Sequence, residues 1–152
     1  GGGHNLAAGF IIREENIRTL DKFIQKDYFI KTSKLISSFN YDAILSSSAV
    51  NITFTNEINK MQPFGNSNEL PIFLFKRLKV IKSNIINERH ITAILKPNTG
   101  TSISSICFNS VNTEIGNYLL SYKKIINITA QINLNIYNNK KRLQLNIKDV
   151  FI

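Results

Sequence analysis

A mainly β fold with a minor α component, built as a five-stranded barrel behind a short α/β segment, is what this sequence predicts. Three observations predict it. Beyond Pro71 five successive runs alternate apolar with polar residues, loosely from Ile72 to Ile81, with a local irregularity in Ser102 to Phe108 and strictly in the last, the period of half-buried strands. One helical interval falls between the third and fourth of these runs, around Asn109 to Gly116. Ahead of them stands a single amphipathic stretch with a period of three to four residues, preceded by a glycine-rich loop. At 152 residues the chain can bury one good core, so one domain with an appended segment is expected rather than two full domains.

The first residues, Gly1 to Gly9, form a glycine-rich loop that runs into a short apolar strand, Phe10-Ile11-Ile12. From about Glu15 to Lys31, Ile17, Leu20, Ile24 and Tyr28 repeat at three and four, which predicts a helix burying one stripe against a sheet. Residues 32–53 are rich in Ser, Thr and Asn and read as a connector. A short helix is expected from Thr55 to Met61, with Thr55 as its cap, and it must stop at Gln62 because Pro63 disfavours helical geometry in the residue before it. The five strands are Ile72 to Ile81, Arg89 to Lys96, Ser102 to Phe108, Leu119 to Tyr137 and Arg142 to Ile152. In the third, Ile103, Ile106 and Phe108 are expected to face inward after a local irregularity. In the fifth, Leu143, Leu145 and Ile147 alternate with Arg142, Gln144, Asn146 and Lys148, so one face is buried and the other is polar and basic. Asn138-Asn139 suits the tight turn of the last hairpin, since Asn tolerates positive φ. Five strands with a helix between the third and fourth is the element order of an OB-fold barrel. The expected division is 1–40, an α/β end segment; 41–62, a connector with a short helix; and 63–152, the barrel.

No run approaches the ~20 apolar residues of a membrane span, and the first residues lack the basic and apolar regions of a signal peptide. A soluble, cytoplasmic protein with no membrane partner is expected. The chain begins with Gly rather than Met, so a longer product is expected to precede it. The one cysteine, Cys107, lies in an apolar stretch and reads as a buried structural thiol. Nineteen Lys and Arg face ten Asp and Glu, a net charge of +9. Residues 46–152 hold thirteen basic and five acidic groups, net +8, whereas residues 1–45 hold six and five. Coding bias explains the preference for Lys over Arg but not the shortage of acids, and a domain this basic points to nucleic acid or another polyanion.

Gly1-Gly2-Gly3-His4 is the most function-like piece: glycines let backbone N–H groups close on phosphate oxygens, and the imidazole can donate a hydrogen bond. By themselves these four residues fit an ordinary turn as well. With Ala7-Ala8-Gly9 they form a Gly-Gly-Gly-His-x-x-Ala-Ala-Gly stretch that resembles the signature loop of the DHHA1 domain of DHH-family phosphoesterases. Pro63-Phe64-Gly65-Asn66-Ser67-Asn68-Glu69-Leu70-Pro71-Ile72-Phe73 resembles the Pro-Phe-Gly-x-Gly-Asn-x-x-Pro-x-Phe entry to the OB domain of RecJ exonucleases. Asn87-Glu88-Arg89-His90-Ile91, Ile106-Cys107-Phe108-Asn109 and the run from Tyr137 to Val150 are similar to further strands and turns of that domain. Ser67, Asn87 and Asn139 stand where the family has glycine, and strain is expected at Ser67.

The resemblance implies the carboxy-terminal part of a 5′ to 3′ exonuclease of single-stranded DNA, acting in repair and recombination. It implies manganese or magnesium held by Asp and His residues of a DHH domain that this chain lacks or meets as a separate partner. It also implies substrate binding by Gly1, Gly2, Gly3 and His4. His4 and His90 are far apart with no carboxylate cluster nearby, so no cofactor site or catalytic residue is expected in these 152 residues. The barrel itself would grip a single strand with basic residues on phosphates and an aromatic on bases. Arg89, Lys96, Lys140, Lys141 and Arg142 are the phosphate candidates and Tyr137 the stacking platform. Against this, Tyr137 equally packs at a barrel rim, Lys140-Lys141-Arg142 equally forms a solvated hairpin tip, and His90 reads as a semi-buried structural residue. A free-standing single-strand-binding module is the alternative. A phosphodiesterase for small nucleotides is a third reading, which the barrel argues against, because small substrates need no such groove.

Overall fold

The computed structural model describes residues 2–4, 7–32, 40–121, 124–137 and 140–152, with the side chains of residues 4, 29–32, 136, 137 and 140 outside the description. The chain divides into two compact units, Gly1–Ser38 and Phe39–Ile152.

In the first unit the glycine-rich motif is itself a hairpin: β1 (Gly2–His4) pairs antiparallel with β2 (Ala7–Gly9). Gly3 sits opposite Ala8, and a Cβ on it would lie 2.8 Å from the Ala7 carbonyl oxygen. Only glycine fits there. The strand expected at Phe10-Ile11-Ile12 is not formed; those residues are exposed and irregular, because no neighbouring chain offers a ladder among the described residues. A single 3₁₀ turn, Glu14–Asn16, leads into α1 (Ile17–Thr32). The helix falls where the period placed it, but the stripe expected to be buried is not: Ile17, Ile24 and Tyr28 are exposed.

The second unit is a closed barrel. β3 (Ala43–Ile44) adds in parallel to the start of β4, α2 (Ile52–Asn59) follows, and β4 (Phe73–Ile86), β5 (His90–Pro97) and β6 (Ile103–Cys107) form an antiparallel meander. After α3 (Glu114–Leu120) come β7 (Ile125–Tyr137) and β8 (Lys140–Phe151). The sheet runs β4-β5-β6-β8-β7, and β4 pairs again with β7 to close it. Closure depends on β4, whose first half lies on β7 and second half on β5. Register shifts between Phe75 and Leu78 and between Val80 and Lys82 bend the strand enough to serve both neighbours. At the first shift Arg77 takes a positive φ of 56°, and its N–H, displaced from the ladder, donates to the Asn127 side chain at 3.0 Å.

The core is the inner face of every strand: Phe75, Leu78, Val80, Ile91, Ala93, Leu95, Ile126, Ile128, Leu145 and Ile147 are all buried. Leu119 of α3 and Ile58 of α2 complete it. Three expectations are corrected. The fourth strand, expected from Leu119, begins at Ile125, because the helix expected around Asn109 to Gly116 runs from Glu114 to Leu120 and buries Leu119. α2 begins at Ile52 with Asn51 as its cap, whose side chain accepts from Phe54 N at 2.9 Å, while Thr55 is buried inside the helix and donates to the Asn51 carbonyl. β6 alternates without irregularity, burying Ile103, Ser105 and Cys107, so Ile106 is half-buried and Phe108 is exposed. The inward Ser105 hydroxyl escaped the apolar count because it is satisfied by the Ala93 carbonyl at 2.8 Å. Ser67 is not among the described residues with positive φ, whereas Asn87 is, at 48°. Cys107 is buried as expected, and burial pushes its thiol above the ordinary range.

Candidate nucleic-acid interface

Strand pairing fixes which side chains share the outer face of the barrel. Lys82 lies opposite Ile94, Ile94 opposite Ser104, and Gln144 opposite Asn133. The Gln144 amide reaches Ser104 Oγ at 3.5 Å, joining β6 to β8, so these five side chains form one row across the sheet. One row along, Asn84 faces Thr92, Thr92 faces Ile106, and Asn146 faces Gln131. On the other side, Lys79 lies directly opposite Lys96, and Arg142 opposite Asn135. Lys79, Lys96 and Arg142 therefore stand on one side of the central row, and Asn84, Thr92, Ile106, Asn146 and Gln131 on the other.

Two shallow cavities follow this face. One of about 530 Å³ is lined by Ser102, Ser104, Asn135, Arg142, Leu143 and Gln144. A second of about 200 Å³ is lined by Lys82, Asn84, Thr92, Ala93, Ile94 and Ser104. They share Ser104, and their linings together form a trough that spans β4, β5, β6, β8 and β7. In OB folds generally, the face of the second and third strands, here β5 and β6, is the side that takes oligonucleotides.

The residues singled out from sequence are dispersed by this geometry. Lys96 and Arg142 lie on the outer face, on the same side of its central row. Arg89 is in the turn before β5, about 23 Å of strand from Lys96 at ~3.3 Å per residue, and is not brought together with it. Lys141 shares the side of its strand with Leu143, opposite to Arg142, because strand side chains alternate. Tyr137 and Lys140 pair across the last hairpin, and their side chains lie outside the described residues, as does Gly1; Gly2, Gly3 and His4 are in the β1–β2 hairpin of the other unit. His90 is structural: its Nδ1 accepts from Asn109 N at 2.9 Å and its ring meets Phe108 edge-on at 5.1 Å. Lys79 and Lys82 were missed from the sequence. They are an odd number apart, so simple alternation sends them to opposite faces; the bulge between Val80 and Lys82 turns both outward. Their signal was the acid-free stretch between Glu69 and Glu88, which carries Lys76, Arg77, Lys79 and Lys82.

Among the described residues no group of three or more His, Cys, Asp and Glu side chains could hold a metal ion. No helix of the described residues is long and apolar enough to cross a membrane.

A five-stranded barrel closed between its first and fourth strands, with a helix between the third and fourth, defines an OB-fold protein. The family model for the RecJ OB domain matches residues 41–149, and the chain belongs to that family. It is 24% identical to the single-stranded-DNA-specific exonuclease RecJ of Bacillus subtilis (strain 168) over 99% of its own length. Its fold is similar to that of Thermus thermophilus RecJ in crystal structures with Mn2+ and with Mg2+, with TM-scores of 0.65 and 0.64 at 17% identity. These matches cover 99% and 98% of this chain. The chain spans about a fifth of the length of these relatives, 19% to 22%.

Proposed function

We propose that these residues are the carboxy-terminal, strand-gripping region of a RecJ-like 5′ to 3′ exonuclease of single-stranded DNA, acting in cytoplasmic repair and recombination. Residues 41–152 supply an outer face on which one strand lies; residues 1–40 are the end of a DHHA1 domain whose Gly1 to His4 loop meets the substrate beside a DHH domain. Manganese or magnesium belongs to that DHH domain, not to the residues described above. The single observation that carries the reading is the trough itself. It is basic along Lys79, Lys96 and Arg142, and neutral and hydrogen-bonding along Asn84, Thr92, Ser104 and Gln144. Phosphates displace counterions when they meet such cations, so affinity follows salt with about 0.7 in the log–log slope for each phosphate neutralised on a single strand. The trough lies on the face of the barrel by which OB folds hold single strands, which supports a single strand over a rigid duplex. The name of the Bacillus relative supports the same substrate.

The test is a titration of the 152-residue chain with labelled single-stranded and duplex DNA at several salt concentrations, with a parallel incubation in manganese or magnesium. Salt-sensitive binding that prefers the single strand, without nucleotide release, is the expected result. Salt-independent binding, preference for duplex, or metal-dependent release of nucleotides by this chain alone would contradict the assignment.

A further inference from the structure

One side of β7 is paired along only part of its length. β4 leaves it after the Phe73–Ala130 pair, whereas β8 follows it from Asn127 to Tyr137. Among the described residues β8 is the one strand paired with residues 131–137, so their other edge is open. A cavity of about 300 Å³ runs along that edge, with Asn59, Phe64 and Leu70 on one wall and Ile132, Asn133 and Leu134 on the other. Successive strand residues point to opposite faces, so a cavity lined by three in a row lies beside the backbone rather than over either face.

Open strand edges in soluble proteins are guarded by charges, proline or a bulge. This one has none of them: Ile125–Tyr137 holds no Lys, Arg, Asp, Glu or Pro, and its register shift against β8, between Thr129 and Ala130, precedes the open stretch. Residues 132–136 are Ile-Asn-Leu-Asn-Ile, the same in both directions. An antiparallel pairing of two copies about an axis at Leu134 therefore sets Ile132 opposite Ile136, Asn133 opposite Asn135, and Leu134 opposite its own equivalent. Each residue meets its own kind, and cross-strand pairs are what stabilise a sheet. Ile132 is buried and Leu134 half-buried, while Asn133 and Asn135 are exposed, so the apolar pairs continue the inner face and the asparagines the outer one.

Charge points to the same partner. Each copy carries +9 and repels another at most approaches, but the open edge is an uncharged strip. β8, with its Lys141 and Arg142, is one strand further back, so the two β8 strands of a pair lie about 14 Å apart at ~4.8 Å per strand spacing, beyond the ~8 Å over which charge acts at physiological salt. The two-fold also aligns Arg142, which faces Asn135, with Gln144, which faces Asn133, and not with another cation.

We propose that residues 132–136 are a self-association edge, on which a second copy of this chain lays its own β7 antiparallel with Leu134 at the two-fold axis. The same edge is used on both copies, so assembly closes at a dimer instead of extending into a fibre. Five residues a side bury less than the roughly 800 Å² per partner of a standard stable interface, so the dimer forms with rising concentration and is not permanent. No nucleic acid is needed for it.

The test is sedimentation equilibrium of the 152-residue chain over a range of concentration and salt. A monomer–dimer equilibrium that salt leaves unchanged or strengthens is expected, the opposite of its effect on nucleic-acid binding. Asn133 is exposed, so Asn133→Lys should fold, with circular dichroism as the control, and should weaken the dimer at least about tenfold by placing like charges on the diagonal of the two-fold. Adding Asn135→Glu sets each new lysine opposite a glutamate of the second copy and should restore association to within about threefold of the parent. In oxidised glutathione, Leu134→Cys should cross-link two copies, because directly opposed Cα atoms lie about 4.5–5.5 Å apart, inside disulfide range. Asn133→Cys and Asn135→Cys, set on the diagonal at roughly 7–8 Å, should not. A monomer at every concentration and salt overturns the proposal. So does a folded Asn133→Lys variant that associates like the parent, failure of Asn135→Glu to restore it, or cross-linking at 133 or 135 in preference to 134.

Discussion

Arg142 and Lys141 are neighbours in sequence and of like charge, yet the strand period puts them on opposite sides of β8, so their reversal to Glu should have different effects. Arg142 borders the 530 Å³ cavity with Ser102, Ser104, Leu143 and Gln144, whereas Lys141, on the alternate side of β8 from Arg142, is not part of its lining. A charge-assisted hydrogen bond to phosphate contributes about 1.5–3 kcal/mol. At about 1.4 kcal/mol per decade, losing it lowers affinity by about tenfold to a hundredfold. Lys141 acts on a strand in the trough only through solvent, where fields decay over about 8 Å at physiological salt, and its reversal should cost less than about threefold. Both side chains are exposed, so stability should change by less than ~0.5 kcal/mol. Anisotropy with a labelled single strand at low and physiological salt, with thermal melts as the folding control, measures the difference. Equal losses in the two folded variants, or a larger loss for Lys141→Glu, would refute the placement of the site.

Three further outcomes are expected. Gly116→Ala puts a Cβ into the Ser110 carbonyl oxygen and 3.1 Å from Ile91 Cδ1. Overpacking of about 1–3 kcal/mol should exceed the ~1 kcal/mol gained in helix propensity, so the melting temperature falls; an unchanged or higher value contradicts this contact. Glu88, in the β4–β5 turn with φ 59°, should be stabilised by Glu88→Gly by about 1 kcal/mol in urea unfolding, and a loss would show that its side chain matters more than its backbone. Cys107 is buried and its thiol is raised by desolvation, so it should resist a thiol reagent until the chain unfolds. With the folded value above the unfolded one of about 8.5, its contribution is full below that pH and fades as pH rises through the folded value. The stability difference between the parent and Cys107→Ala should therefore shrink in alkali; rapid labelling of the folded chain at neutral pH would contradict the burial.

The barrel was legible because strand periodicity survives in single residues. Leu143, Leu145 and Ile147 alternate with Arg142, Gln144 and Asn146 in the sequence as they do on β8. The resemblance carried by Pro63 to Phe73 and by Tyr137 to Val150 placed that barrel in its family from residues alone. What escaped depends on partners distant in the chain. The inward Ser105 of β6 is acceptable in the core only because Ala93 accepts its hydrogen bond, so apolar counting shifted the strand's phase. Phe10 to Ile12 had a strand's composition but no ladder. Thr55 looks like a cap as readily as Asn51 does, and tertiary burial decides between them. Of the candidate face, Lys96 and Arg142 could be picked out by charge, but the β4 bulge that turns Lys79 and Lys82 to one side leaves no mark in an apolar pattern.

Backbone amide chemical shifts of the isotope-labelled 152-residue chain, titrated with oligothymidylate, test the account most directly, because they locate the strand without presupposing any residue. The largest changes should fall on Lys79, Lys82, Thr92, Ile94, Lys96, Ser104, Arg142 and Gln144, and weaken as salt is added. Changes concentrated instead around Glu88 and Arg89, or in the 410 Å³ cavity beside Asp42 and Glu69, would contradict the assignment of the outer face as the nucleic-acid interface.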